Sequence, residues 1–268
     1  MRSRTLLAAG VLAATLIALP CAAATAQAAM YSIKRVEWHD PACRPSNSDE
    51  FSCAHILFEY PLIERAPAPA AAAAINRSVR EFLLTSIGEP RRYPSFEATI
   101  EAFKEWYEDY KGQARVPTAF WERKTVAIVY QSPAIVSVKF DLSFYTGGLH
   151  PQYAATFTSF NATTGARIRL DDVLVAGYRP RLTRIAENEF RTQLGIMPGM
   201  TLRDAGYIFF NDDIFALNDN FWFGPKGVIF FYNPYEIAPY SMGTTELLLP
   251  YRLIGSLISP DGLLRTMR

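Results

Sequence analysis

From Val136 to Phe144 the chain alternates without a break: Val136, Val138, Phe140, Leu142 and Phe144 are apolar, and Ser137, Lys139, Asp141 and Ser143 between them are polar. Side chains of an extended strand point to opposite faces with a period of two, so this run specifies a strand with one buried face and one solvent face. That is the pattern of an antiparallel sheet covered on a single side. The neighbouring sequence continues the theme: Val126, Ile128 and Tyr130 precede a Ser-Pro turn, and after Gly147-Gly148 a strand runs from Tyr153 to Asn161. Ala162-Thr163-Thr164-Gly165 then turns the chain into a further strand expected at Ala166 to Leu170.

Helical periods occur in separate blocks. Pro67 and Pro69 introduce an alanine-rich helix in which Ile75, Val79, Phe82, Leu83 and Ile87 share a face, with Gly88 and Pro90 ending it. Ser95 is placed to cap a second helix whose stripe of Phe96, Ile100, Phe103, Tyr107 and Tyr110 reads as core. Asp171 to Leu174 begins a short helical segment, and a helix from about Pro180 to Leu194 aligns Leu182, Ile185, Ala186, Phe190 and Leu194. Strands are expected at Phe215 to Trp222, Val228 to Tyr232 and Thr244 to Leu249, the first two joined by Gly224-Pro225-Lys226-Gly227, with a short helix opening at Pro250. At the other end, Ser32 to His39 and Ala54 to Tyr60 read as a hairpin. Blocks of strands and blocks of helices predict an α+β fold with antiparallel sheets each covered by helices. The 268 residues suffice for two tandem subdomains, placed at 31–146 and 147–268.

The first 28 residues stand apart. Arg2 and Arg4 form a positive start, Thr5 to Leu19 is apolar, and Ala26-Gln27-Ala28 is a small-residue cleavage site, so the segment reads as a secretory signal cut after Ala28. Its apolar run of about 15 residues falls short of the roughly 20 that cross a bilayer, and no membrane span is expected after cleavage. Cys21 follows the apolar run and offers a lipid-attachment reading, against which Pro20 and the downstream cleavage site both count. Removing Arg2 and Arg4 from the 27 basic side chains leaves 25 against 26 acidic ones, a net charge of −1. That balance argues against a nucleic-acid partner. Cys43 and Cys53 flank a polar stretch and are expected to pair in an oxidising compartment, closing a loop of about 11 residues for about 2–3 kcal/mol. The competing reading of these cysteines is a metal site with His39 and His55, which lacks a standard ligand spacing.

Chemistry is hard to find. The three histidines are His39, His55 and His150, no metal or phosphate motif has a recognised spacing, and no cofactor is called for. His150 is the best single candidate, because Gly147 and Gly148 allow a tight loop that presents its imidazole; a local backbone partner for that imidazole is the simpler reading. Asp171 and Asp172 have the side chains of metal ligands, but sit where a helix start favours carboxylates anyway.

Two segments carry a family resemblance. Tyr145-Thr146-Gly147-Gly148-Leu149-His150-Pro151, followed by an aromatic strand and Leu170-Asp171-Asp172-Val173-Leu174, resembles the junction of RsiV-like exported bacterial domains. Ile229 to Gly243, containing Asn233-Pro234-Tyr235-Glu236-Ile237-Ala238-Pro239-Tyr240, is similar to that family's C-terminal signature. The family includes the lysozyme-sensing ectodomain of an anti-sigma factor and a non-catalytic module attached to a peptidoglycan deacetylase. The resemblance implies a non-catalytic binding module in the periplasm or outside the cell, recognising or inhibiting a lysozyme-like protein or binding peptidoglycan. Its candidate contact residues are Gly147, Gly148, His150, Pro234, Tyr235, Pro239 and Tyr240; burial of the two tyrosines between subdomains is the competing reading. The alternative function is an envelope-acting enzyme that modifies peptidoglycan or another polysaccharide.

Overall fold

The computed structural model describes residues 29–41, 54–66, 68–87, 91–113, 119–209 and 214–265. The signal segment with its cleavage site, Cys21, the Cys43–Cys53 pair and the helix-flanking Pro67, Gly88 and Pro90 lie outside the described residues. The fold is α+β, with a five-stranded and a three-stranded sheet.

The first sheet runs in sequence order: β1 (Met30–His39), β2 (His55–Arg65), β3 (Trp121–Gln131), β4 (Ile135–Tyr145) and β5 (Gln152–Asn161). Neighbours pair antiparallel except β2 and β3, which are parallel. A parallel pair needs a crossover, and helices α1 (Pro69–Leu83) and α2 (Phe96–Gln113) provide it. Val136, Val138 and Phe140 of β4 meet Ile75, Val79 and Leu83 of α1 and Phe103 and Tyr107 of α2 in one core. Asn76 fixes α1 on β2: its side chain accepts from the Ile63 N–H and donates to the Ile63 carbonyl, both at 2.9 Å. Ser95 caps α2, accepting from the Ala98 N–H at 3.2 Å.

The second sheet contains β6 (Phe221–Phe223), β7 (Gly227–Tyr232) and β8 (Thr245–Pro250), all antiparallel. Three helices accompany it: α3 (Leu170–Val173), α4 (Arg179–Gln193) and α5 (Tyr251–Ile254). Leu182, Ala186 and Phe190 of α4 pack with Val228, Phe230 and Tyr232 of β7. The other face of β7 meets the first sheet, with Phe231 and the Trp222 of β6 both against Phe157 of β5. Burial on both faces explains why β7 reads as an unbroken apolar run rather than an alternation.

Three expectations change in detail. Ala166 to Leu170 is not a strand; Arg167 makes a single bridge to Phe160, and the Ile168 N–H donates to the Ser159 carbonyl. Phe215 to Trp222 contributes only its end to β6; before it, the Asn218 side chain donates to the Phe231 carbonyl of β7 and the Asn220 side chain reaches across to Ala155 of β5. The polar face of β4 is not open to solvent throughout. Ser137 is fully buried: its hydroxyl donates to the Phe223 carbonyl at 2.8 Å and lies 2.7 Å from the Ser159 hydroxyl, which accepts from the Phe223 N–H at 3.0 Å.

The loop at residues 146–151, where a subdomain junction is expected, leads directly into β5, which pairs with β4 along its length. The polypeptide therefore leaves the first sheet only after Asn161. The exposed edge of β5 is met by side chains of the second unit. Asn233 accepts from the Ala155 N–H at 2.7 Å and donates to the Ala155 carbonyl at 3.1 Å, while Asn220 accepts from the Phe157 N–H at 2.9 Å. These amides satisfy backbone groups that an edge strand would otherwise leave unpaired.

Candidate functional site: an aromatic surface at the start of β5

The loop between β4 and β5 is set by contacts at both ends. Gly147 has φ of 88°, and a Cβ placed there would lie 2.6 Å from the Tyr110 ring on α2. Glycine alone combines that left-handed backbone with so close an approach. The Tyr145 hydroxyl donates to the Gly148 carbonyl at 2.8 Å, closing the turn. Leu149 at its tip is fully exposed.

His150 follows, held through both ring nitrogens and by stacked tyrosine rings. Nδ1 is 2.8 Å from the Pro151 carbonyl, which only accepts, so Nδ1 carries the hydrogen. In the neutral ring Nε2 is then an acceptor, and the Tyr235 hydroxyl donates to it across 3.3 Å. The Tyr240 ring lies against the imidazole at a centroid distance of 4.1 Å and 27° between planes, and its hydroxyl donates to the same Pro151 carbonyl at 3.1 Å. Tyr235 and Tyr240 are 5.4 Å apart.

Tyr235 has φ of 68°, the one positive value outside glycine among the described residues. For an ordinary side chain this backbone costs on the order of 1–2 kcal/mol. The surrounding turn imposes it. The Tyr235 N–H donates to the Ala238 carbonyl at 3.1 Å, and the Glu236 carboxylate accepts from the Asn233 N–H at 2.8 Å and from the Asn218 amide at 2.6 Å. Asn233 is itself anchored to β5, so the turn that aims Tyr235 is tied to the first sheet. Pro234 lies inside this turn, and Pro239 precedes the 3-10 turn that carries Tyr240. The outcome is a surface patch in which Tyr235 is 57% exposed and Tyr240 and His150 are half-buried.

The structure thus brings Gly147, Gly148, His150, Pro234, Tyr235, Pro239 and Tyr240, distant in sequence, to one end of β5. Tyr240 packs inward as a joint between the units, whereas Tyr235 faces solvent. Sequence reasoning missed the residues that position them: Asn218, Asn220, Asn233 and Glu236. Their only sequence signal is asparagine density around a strand, which usually marks turns. Asp172 accepts from the Arg169 N–H at 2.8 Å, and Asp171 lies 3.6 Å from Arg179. Among the described residues no group of three His, Cys, Asp or Glu side chains is arranged to hold a metal ion.

Two sheets joined through side-chain amides, each backed by helices, define an α+β protein with a composite surface between its units. Residues 171–252, from α3 into α5, match a family model described as a protein of unknown function, DUF3298. Solved structures extend the likeness to both sheets. A DUF3298 family protein from Pseudomonas aeruginosa PAO1 is 17% identical, with a TM-score of 0.67 over 87% of this chain and 95% of that one. A DUF3298 member from Bacteroides fragilis is 18% identical, with a TM-score of 0.70 over 90% of this chain and 98% of that one. At such identities the likeness is one of fold. No curated protein matches the sequence.

Proposed function

We propose that this chain is an extracytoplasmic, non-catalytic recognition module of the RsiV-like kind, binding a lysozyme-like enzyme or cell-wall glycan through the surface built from His150, Tyr235 and Tyr240. The observation that carries this reading is Tyr235, kept in a left-handed backbone conformation with its ring displayed to solvent. A costly conformation persists only where the surrounding structure over-determines it, and such positions cluster at ligand contacts. A rigid aromatic with a polar tip is also the side chain that most often dominates a binding interface. Export by the N-terminal segment would place this surface in the envelope. No described helix is long and apolar enough to cross a membrane.

Calorimetric titration against c-type lysozyme and co-sedimentation with purified peptidoglycan test the proposal, alongside a lysozyme-inhibition assay. Binding to one of them is expected, and Tyr235→Ala should weaken it by about 2 kcal/mol, roughly thirtyfold. Absence of binding to both defeats the proposal. Glycan turnover abolished by His150→Ala would replace it with the enzyme reading.

A further inference from the structure

Roughly 20 Å farther along β5, at about 3.3 Å per residue, lies a second feature that the aromatic surface does not use. A cleft of about 380 Å³ opens beside Phe157 and Ser159, and Arg167, Arg169 and Arg179 all line it. Arg167 also lines cavities of about 590 Å³ and 350 Å³, so three depressions adjoin at one guanidinium-bearing residue. In a chain whose expected mature charge is −1, three arginines against Asp171 and Asp219 leave this one cleft with a formal charge of +1.

Their commitments differ. Arg169 is 3.7 Å from Asp172 and Arg179 is 3.6 Å from Asp171, loose pairs at exposed positions. Arg167 has no ion pair and no side-chain hydrogen bond among the described residues, and neither does Asp219, which lines the same cleft. The apolar Ile168, Leu170 and Phe221 also contribute to the wall. The backbone that presents Arg167 is held firmly: Asn161 N–H to Ala166 carbonyl and Ile168 N–H to Ser159 carbonyl, both at 2.8 Å, bracket it against β5.

From these features we infer that the Arg167 cleft binds a carboxylated saccharide. A guanidinium matches a carboxylate through two parallel N–H donors. Asp219 supplies an acceptor for sugar hydroxyls, and Ile168 and Phe221 an apolar wall for the ring face. A single inorganic anion would use only the arginine. The adjoining depressions give room for more than one sugar unit, with volumes in the ordinary range for ligand sites. This site stands independently of the aromatic surface and of whatever binds there.

The test is calorimetric titration of the purified full chain with tri-galacturonate, with the uncharged tri-galactoside and inorganic sulfate as separate arms. Saturable binding of tri-galacturonate is expected, at least about tenfold tighter than either control. Arg167→Gln should weaken it about tenfold, whereas Arg184→Gln, an exposed α4 arginine outside the cleft, should leave it unchanged. No saturable binding, equal binding of the uncharged sugar, or equal losses in the two variants would each overturn the inference. Competition by sulfate as strong as by the saccharide would overturn it too, leaving an anion site without sugar recognition.

Discussion

The side chain of Asn233 pairs with both backbone polar groups of Ala155, accepting from its N–H at 2.7 Å and donating to its carbonyl at 3.1 Å. An amide has one donor group and one acceptor side by side, as a peptide unit does, so one asparagine can take the place of a neighbouring strand at a single residue. This contact joins the sheets and also fixes the turn that displays Tyr235.

Replacing Asn233 should therefore affect both stability and the aromatic surface. Asn233→Ala leaves the buried Ala155 N–H without an acceptor and is expected to cost about 1–3 kcal/mol in urea unfolding. Asn220 still donates to the Ala155 carbonyl at 2.9 Å, so Asn220→Ala combined with Asn233→Ala should cost more than either alone. A strictly negligible effect of Asn233→Ala would mean that water replaces the amide.

Gly147→Ala combines an unfavourable φ with a Cβ that must displace Tyr110. A loss of at least about 1–2 kcal/mol is expected from the backbone alone. Adding Tyr110→Ala removes the clash but not the backbone cost, so it should recover no more than part of the loss attributable to Gly147→Ala when each is measured on its own background.

Tyr235→Gly separates stability from recognition. Glycine accepts the left-handed conformation freely, which offsets the loss of ring contacts, so thermal unfolding should move by less than about 1 kcal/mol. Binding to the partner found by titration should fall roughly thirtyfold. Loss of stability and binding in equal measure would assign Tyr235 to packing.

Lys124 and Glu122 face the helix-covered core of the first sheet, 2.8 Å apart and both almost wholly buried. Lys124 also donates to the carbonyls of Leu83 and Thr85 at the end of α1. Lys124→Met alone should cost about 3–5 kcal/mol, because it leaves a buried carboxylate without its cation. The double variant Lys124→Met/Glu122→Leu should regain a large part of that, read by chemical denaturation.

Alkaline pH should weaken the fold through its buried tyrosines. Burial, with the Asp171 carboxylate nearby, pushes the Tyr178 phenol up to about 12, and burial raises Tyr232 and Tyr251 as well. Unfolded tyrosines ionise near pH 10, so the unfolded chain releases protons there while the folded one retains them. Their stabilising contribution is whole below about pH 10 and declines as pH rises through the folded values, from about 10 to 12 for Tyr178. Phenolate absorbance should show these residues titrating together with loss of structure, and Tyr251→Phe should reduce the steepness of the decline.

Much of the fold was legible because local periods record local burial. The alternation of β4 and the helical stripes of α1 and α2 each describe one face of one element, and those faces do form a common core. The period could not say what covers the opposite face. Ser137 reads as solvent-facing and is buried, since its hydroxyl joins Ser159 and the backbone of Phe223, 86 residues away. The same limit applies to Asn220 and Asn233, whose sequence context marks turns while both find partners on β5 of the other sheet.

Taken alone, the sequence determined the α+β class, the strand and helix blocks and the glycine-dependent loop before β5, because each follows from backbone propensity or from burial along one element. Tertiary structure alone decided that His150, Tyr235 and Tyr240 share a surface, that Tyr235 faces outward while Tyr240 packs inward, and that three arginines line one cleft. Those relationships depend on hydrogen bonds and stacking between residues far apart in the chain, and such pairings have no period for a sequence to display.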